Sequence, residues 1–217
     1  MGRLFSTETP IYQWLMKVST ILLTGIVWLL LCLPIITAGA STTAMYRIMF
    51  NIRDEKPSGI GHFFKYFAEE FKKGTLLFLI DILCVILLAV IYLVLYSFVK
   101  VGNEVSVLAA IFLVPLFIWM ITFLYVFPLN AFFDNTVGRT ILNAFMLSVR
   151  YFKYTVPSLF ITMLPLFGFM LLGFYYFMYS VPFWFFIIIP VGEYIKSGLF
   201  KKAFIQIMPK QETTEEA

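Results

Sequence analysis

The chain has 217 residues, of which 61% are hydrophobic, 19% are aromatic and only 13% are charged. Soluble domains carry about 25% charged and about 45–50% apolar residues, so the composition excludes a soluble domain of this size. The formal net charge of +4 does not indicate nucleic-acid binding, because the basic residues cluster where cytoplasmic loops of a membrane protein would lie.

Five apolar stretches divide the chain, each long enough to cross a bilayer core of about 30 Å as a helix. We predict spans at residues 14–36, 75–99, 107–129, 156–178 and 182–198. A polar hinge at 100–104 separates the second and third spans, and a very short turn precedes Pro182. The predicted fold class is all-α: a polytopic membrane helical bundle of residues 1–208 with a polar tail at 209–217. Cys32 and Cys84 lie in the spans and are interpreted as packing residues.

Three amphipathic stretches lie between the spans, at 41–52, 62–73 and 137–153. Each has apolar residues at helical spacing on one face and polar or charged residues on the other. The apolar faces hold Ala44, Met45, Ile48, Met49 and Ile52 in the first stretch, Phe63, Phe64, Phe67 and Phe71 in the second, and Ile141, Leu142, Phe145 and Phe152 in the third. Such helices tend to lie in the plane of the membrane interface, so we predict that position for all three.

The distribution of basic residues predicts the orientation. Thirteen of the 16 Lys and Arg residues lie between spans one and two, between spans three and four, or at the C-terminal end. Cytoplasmic loops carry the excess of these residues. We therefore expect the C-terminus inside and the N-terminus outside, with Arg3, Lys17 and Lys100 on the outer side.

Two acidic residues inside the spans are candidate functional groups. Asp81 is six residues into the second span, or about 9 Å along a helix that rises ~1.5 Å per residue. A carboxylate in a membrane is costly, and Asp81 could bind a cation, carry a proton or hydrogen-bond a polar substrate. The alternative is a packing role, with a partner such as Tyr, Thr or Lys on another helix. Glu193 has Lys196 three residues on, a spacing that favours a structural ion pair on one helix face.

The remaining polar candidates give no support for catalysis. Asn130 and Asp134 follow the third span and are predicted to cap the next helix. His62 is the single histidine, so neither a histidine-based metal cluster nor a Ser-His-Asp relay can be assembled. We expect no catalytic residue, no metal site, no cofactor and no enzymatic activity.

Two segments carry a family resemblance. Residues 33–44 read LPIITAGASTTA at the end of the first span, and residues 63–75 read FFKYFAEEFKKGT before the second. Both resemble the YesL family of bacterial integral membrane proteins. The positions that match the family motif are Pro34, Thr37, Gly39, Phe64, Phe67, Phe71 and Lys72.

The resemblance implies a protein of the bacterial cytoplasmic membrane without catalytic residues. Genes of the family often lie beside carbohydrate ABC transporters and glycan-degrading enzymes. We therefore expect an accessory of oligosaccharide uptake that contacts the lipid bilayer and docks on the permease or ATPase of a sugar ABC transporter through its amphipathic helices. A secondary transporter or channel-like protein with Asp81 lining the path is the alternative. A membrane enzyme acting on lipid or glycan headgroups has the weakest support.

Overall fold

The computed structural model describes residues 10–99 and 105–207, so the predicted hinge at 100–104 and the tail at 209–217 lie outside the described residues. Over these ranges the chain is helical and contains no β-strand. The α-helices are α1 (Pro10–Cys32), α2 (Ala38–Arg53), α3 (Ile60–Val99), α4 (Val105–Phe132), α5 (Val137–Arg150), α6 (Phe152–Phe183) and α7 (Ile189–Ile205). A 3₁₀ turn (Ile35–Thr37) precedes α2, and a π-helical segment (Trp184–Ile188) joins α6 to α7.

Five helical stretches have the length and hydropathy to cross a membrane. They are Ile11–Cys32, Ile60–Leu95, Phe112–Phe132, Phe152–Gly173 and Met178–Ile205. About half of their large apolar side chains are exposed on the outside of the bundle, where lipid rather than protein would cover them. The predicted all-α, multi-pass membrane bundle is confirmed.

Helix α3 joins two elements that the sequence analysis separated. The amphipathic stretch at 62–73 and the span at 75–99 form one continuous helix of 40 residues. At ~1.5 Å per residue this helix is about 60 Å long, or about twice the thickness of a bilayer core. The predicted second span is therefore the second part of a longer helix, whose first part carries most of its charged side chains.

Helices α1 and α2 form an antiparallel hairpin. The Thr37 hydroxyl donates a hydrogen bond to the Pro34 carbonyl at 2.7 Å and stabilises the turn between them. At the far end, Lys17 Nζ lies 3.2 Å from Glu55 Oε1, which places the beginning of α1 beside the α2–α3 loop. The charge distribution had predicted Lys17 and this loop on opposite sides of the membrane. That prediction is wrong for Lys17, because α2 returns along α1 instead of lying flat on the interface.

Helix α2 lies inside the bundle. The predicted apolar face (Ala44, Met45, Ile48, Met49 and Ile52) is buried, but so are residues on the remainder of its circumference, including Ser41 and Thr43. Helices α1, α3, α4 and α7 all pack against it. The interfacial position predicted for 41–52 is therefore wrong, because four neighbouring helices cover α2.

Two glycines allow α2 to approach α3. A Cβ atom added to Gly39 would lie 2.1 Å from the backbone oxygen of Gly74. A Cβ added to Gly74 would lie 2.7 Å from the Cα of Ala40. The two helix backbones are thus in direct contact, which no larger residue permits. Both glycines belong to the segments that carry the family resemblance.

The chain reverses direction at Gly173, inside the element α6. Gly173 has φ 67° and ψ 169°, a backbone conformation that favours glycine. A Cβ on Gly168 would lie 2.2 Å from Trp184 Cζ2, although 16 residues of straight helix would separate the two positions by about 24 Å. The predicted turn just before Pro182 is therefore wrong, since the helix resumes soon after Gly173 and continues through Pro182.

An aromatic cluster connects three helices at the end of the bundle that carries the charged α2–α3 loop. Phe200 and Phe204 on α7 pack against Tyr125 on α4, with ring centroids 4.8 Å and 6.4 Å apart. Phe50 on α2 meets Phe132 on α4 at 5.1 Å. These contacts connect α2, α4 and α7.

We predict that Gly39→Val destabilises the protein, because its side chain would overlap the backbone of α3. Overpacking typically costs about 1–3 kcal/mol, and here the obstructing atoms are backbone that cannot rotate away. Thermal unfolding of the detergent-purified protein measures the effect. Gly61→Val is the matched control on α3, since a Cβ at Gly61 meets nothing within 4 Å. Equal melting temperatures for the two variants would contradict the proposed close contact.

Candidate functional site

Asp81 contacts α4 through a tryptophan. The indole Nε1 of Trp119 donates a hydrogen bond to Asp81 Oδ1 at 3.0 Å. This interhelical bond is the packing role given above as an alternative, with Trp as the partner. Asp81 also lines a cavity, so the contact leaves the functional interpretation open.

Glu193 is at the centre of a second polar group that joins three helices. Lys196 Nζ lies 2.6 Å from Glu193 Oε1, which confirms the predicted ion pair within α7. The same ammonium donates a hydrogen bond to Thr162 Oγ1 on α6 at 3.0 Å. From α2, the Tyr46 hydroxyl donates a hydrogen bond to Glu193 Oε2. Only 4% of Lys196 is exposed, so this charge is removed from solvent and depends on its partners.

The Tyr46 phenol acts as a donor in this group. Burial raises the pKa of Tyr46 well above its usual range, and the adjacent Glu193 carboxylate raises it further. The phenol therefore keeps its proton at neutral pH and continues to donate to Glu193. Sequence analysis missed Tyr46, because nothing in its local pattern distinguishes it from a core aromatic residue.

Both polar groups line one cavity of about 330 Å³ between α2, α3, α4, α6 and α7. Its polar wall consists of Thr42, Tyr46, Asp81, Trp119, Thr162, Glu193 and Lys196, and the rest of the wall is aliphatic and aromatic. The structure thus brings together two predicted site residues that are more than 100 positions apart in the chain. Concave, mostly apolar sites with a few convergent polar groups are typical of small-ligand binding.

A larger cavity of about 430 Å³ lies between the beginning of α1 and the α2–α3 loop. Its lining includes Lys17 and Glu55, which form an ion pair with each other, and both side chains are largely exposed. The smaller cavity is the better candidate site, because Lys196 is buried, Asp81 and Glu193 are partly buried, and these charged groups converge from two helices.

Asn130 and Asp134 do not act as helix caps. Asn130 lies inside α4, is 2% exposed, and donates hydrogen bonds from Nδ2 to Glu70 Oε2 at 2.9 Å and to Thr43 Oγ1 at 3.4 Å. Asp134 is exposed in the α4–α5 loop, and Thr136 precedes α5 at the cap position. The prediction was wrong because α4 extends beyond the predicted end of the third span and places Asn130 in the core.

The Asn130 amide belongs to a buried polar network between α2, α3 and α4. Arg47 Nη1 lies 3.0 Å from Glu69 Oε2 and 3.4 Å from Glu70 Oε1. Glu70 is 7% exposed and accepts hydrogen bonds from both Arg47 and Asn130. The sequence signal that was available is the Glu69-Glu70 pair on a predicted amphipathic helix, but nothing in the sequence indicates the distant partner.

Arg53 is a further residue that sequence analysis missed. Its Nε donates a hydrogen bond to Ser197 Oγ at 2.9 Å, its Nη2 donates to the Tyr194 carbonyl, and its guanidinium lies 4.1 Å from the centre of the Tyr194 ring. Burial lowers the pKa of Arg53 from its usual value. The residue fixes the end of α2 to α7 near the charged loop.

The family-motif positions fall into two groups. Pro34, Thr37 and Gly39 form the α1–α2 turn and the contact with α3. Along α3, Phe67 packs against the buried Phe63 cluster, whereas Phe64, Phe71 and Lys72 are exposed. The motif positions therefore lie outside the cavity. They support the helix pair that contributes Thr42, Tyr46 and Asp81 to it.

Helix α5 has an uncovered apolar face. Thr140, Ala144, Leu147 and Ser148 are buried against the bundle. Leu142, Met146 and Val149 are 53%, 55% and 54% exposed, and Phe145 beside them is also exposed. The helix ends at Arg150, so the predicted stretch at 137–153 is divided and Phe152 begins α6.

The fold and the polar interior define a multi-pass helical membrane protein with a cavity among its helices. A family model described as "Protein of unknown function, DUF624" matches residues 21–92, about a third of the chain. The matched part contains both segments of the resemblance, the Gly39–Gly74 contact and Asp81. No curated protein and no solved structure matches the chain. Among residues 10–99 and 105–207, no three His, Cys, Asp or Glu side chains are grouped to hold a metal ion.

We predict that Asn130→Ala destabilises the protein by about 1–3 kcal/mol, because the buried Glu70 carboxylate loses a hydrogen-bond donor. Asp134→Ala is the control and should change the free energy of unfolding by less than ~0.5 kcal/mol, as expected for an exposed surface residue. Both effects are measured by thermal unfolding in one detergent. A stable Asn130→Ala variant would show that the Asn130–Glu70 bond contributes little.

Proposed function

We propose that this chain is a non-enzymatic, YesL-type protein of the bacterial cytoplasmic membrane that assists oligosaccharide uptake by an ABC transporter. The family match to residues 21–92 supports the YesL-type assignment, because it includes the motif residues of both resembling segments. The association of that family with carbohydrate transporters supports the uptake role.

The exposed apolar face of α5 is the main support for a docking role. Of the three amphipathic stretches, the first is buried as α2 and the second is the start of α3. Helix α5 presents Leu142, Phe145, Met146 and Val149 on one side, with Arg139 and Arg150 at its two ends. An amphipathic helix of this kind fits an apolar groove of a partner protein, and we propose the permease or ATPase of a sugar transporter as that partner.

The orientation that best fits the contacts has the beginning of α1 and the end of α7 on the cytoplasmic side. Lys17 pairs with Glu55 and Lys201 pairs with Asp54, so the start of α1, the α2–α3 loop and the end of α7 share one end of the bundle. With Lys17 moved to this side, the excess of basic residues there increases, as cytoplasmic loops require.

A secondary transporter or channel-like protein is the second candidate function. The cavity lined by Asp81, Glu193 and Lys196 favours it, since ionisable groups inside a membrane bundle commonly mark a solute or proton path. Solute movement into liposomes that contain only the purified protein, abolished by Asp81→Asn, would support this candidate. Liposomes that stay impermeable would favour the accessory role.

We predict that the double variant Leu142→Ser/Met146→Ser reduces co-purification of sugar ABC transporter subunits by about tenfold or more, because it removes two apolar anchors from the docking face. The measurement is quantitative mass spectrometry after mild-detergent purification from the native membrane. Met170→Ser/Leu171→Ser is the matched control, since these residues are 74% and 86% exposed at the opposite end of the bundle. Equal recovery from both variants, or no transporter subunit with the wild type, would contradict docking through α5.

We also predict that single cysteines at Ser58 and Asn135 react with a membrane-impermeant thiol reagent only after cells are permeabilised. A cysteine at Asn103, between α3 and α4, should react in intact cells. The background chain carries Cys32→Ala and Cys84→Ala, which remove the two native thiols. Labelling of Ser58→Cys in intact cells would reverse the proposed orientation.

A further inference from the structure

The cavity between Asp81 and Glu193 has an unbalanced negative charge. Glu193 is neutralised by Lys196 at 2.6 Å. Asp81 accepts the indole N–H of Trp119, but none of the basic side chains in the described ranges forms an ion pair with it. An ionised Asp81 therefore leaves the cavity with one negative charge that the protein does not balance.

Asp81 faces few hydrogen-bond donors in the cavity, because the ammonium of Lys196 is directed to Glu193 and Thr162. The hydroxyls of Thr42 and Thr162 donate to backbone carbonyls four residues earlier, at 2.8 Å and 2.9 Å. The Tyr46 hydroxyl donates to Glu193. Asp81 Oδ2 remains as an acceptor without a partner among the described residues. A ligand that donates hydrogen bonds and carries positive charge would complement Asp81.

The size and the aromatic wall indicate an organic ligand rather than a bare ion. The volume of about 330 Å³ is about ten times the ~30 Å³ that one water molecule occupies in the liquid. Trp119 and Phe123 line the cavity with ring centroids 6.0 Å apart, and Phe127 lies beside them. The faces of aromatic rings attract organic cations, and an alkyl chain packs against the same surface.

We infer that this cavity binds a small protonated amine, with its ammonium group at Asp81 Oδ2 and its carbon skeleton against Trp119 and Phe123. The ammonium supplies both the missing charge and the missing donors. This inference goes beyond the proposed docking function, because binding requires neither a transporter partner nor movement across the membrane. If the protein is a secondary transporter or channel, the second candidate function, its solute would then be a small organic amine.

The test is calorimetric titration of the purified full chain in lipid nanodiscs with protonated ethanolamine at neutral pH. Saturable binding is expected, with no binding of ethylene glycol, which has the same size but no charge, and none of sodium. Asp81→Asn keeps the acceptor for Trp119 but removes the charge, and should weaken binding by about tenfold or more, as loss of a charge-assisted hydrogen bond implies. Asp134→Asn, an exposed carboxylate outside the cavity, should bind like the wild type.

A second measurement on the wild-type chain does not depend on how Asp81→Asn folds. Protonated N,N-dimethylethanolamine, a tertiary amine that forms no amide with an activated carboxylate, should protect Asp81, but not Asp134, from modification by a hydrophobic carbodiimide, as detected by mass spectrometry of peptides. Equal binding by Asp81→Asn and wild type, equal binding of ethylene glycol, saturation by sodium alone, or unprotected Asp81 would each overturn the inference. Failure of α5 variants to release a transporter leaves this result unaffected, so the two proposals fail separately.

Discussion

The backbone contact between Gly39 and Gly74 is the constraint on which the rest of the interior depends. It holds α2 against α3 at a distance that excludes side chains. One turn further along α2, Thr43 reaches Asn130, and one turn beyond that, Arg47 reaches Glu70 of the same network. The same approach places α2 where it can contribute Thr42 and Tyr46 to the cavity. Small residues at helix crossings serve this purpose in membrane proteins, where packing, not hydrophobic burial, drives helix association.

Two ion pairs inside the bundle follow one pattern. The pairs Arg47–Glu70 and Lys196–Glu193 each combine an ion pair with a hydrogen bond to a neutral side chain on another helix. These partners are required, because an unpaired charge in a low-dielectric interior costs several kcal/mol. Asp81 differs, since its described partner is a neutral indole. Arg53 also lacks an ion pair, but Ser197 and Tyr194 contact its guanidinium, whereas Asp81 Oδ2 has no described partner.

Hydropathy predicted the number of spans because the length of an apolar helix is set by the bilayer itself. The periodicity of α2 also predicted its apolar face correctly. It could not predict that four helices would cover the opposite face, since a period describes one helix and not its neighbours. For the same reason Lys17 was assigned to the wrong side of the bundle relative to Glu55.

The polar interior was predictable only in part. The Glu193–Lys196 pair is local, so its spacing was sufficient. Asn130 was misread as a cap because its partner Glu70 is 60 residues away in the sequence. The turn at Gly173 was missed because the apolar composition continues through it, and Pro182 offered a more conspicuous boundary. The glycine itself was the available signal, since a reversal without polar residues requires a backbone that only glycine adopts readily.

The Gly173 reversal makes the bundle markedly asymmetric across the membrane. A single residue with positive φ replaces a loop, so the connection between the last two spans has no charged side chain, and Tyr175, Tyr176 and Tyr179 are exposed there. The opposite end of the bundle offers charged groups for recognition by other macromolecules, since the α2–α3 loop, the end of α7 and the exposed face of α5 lie there.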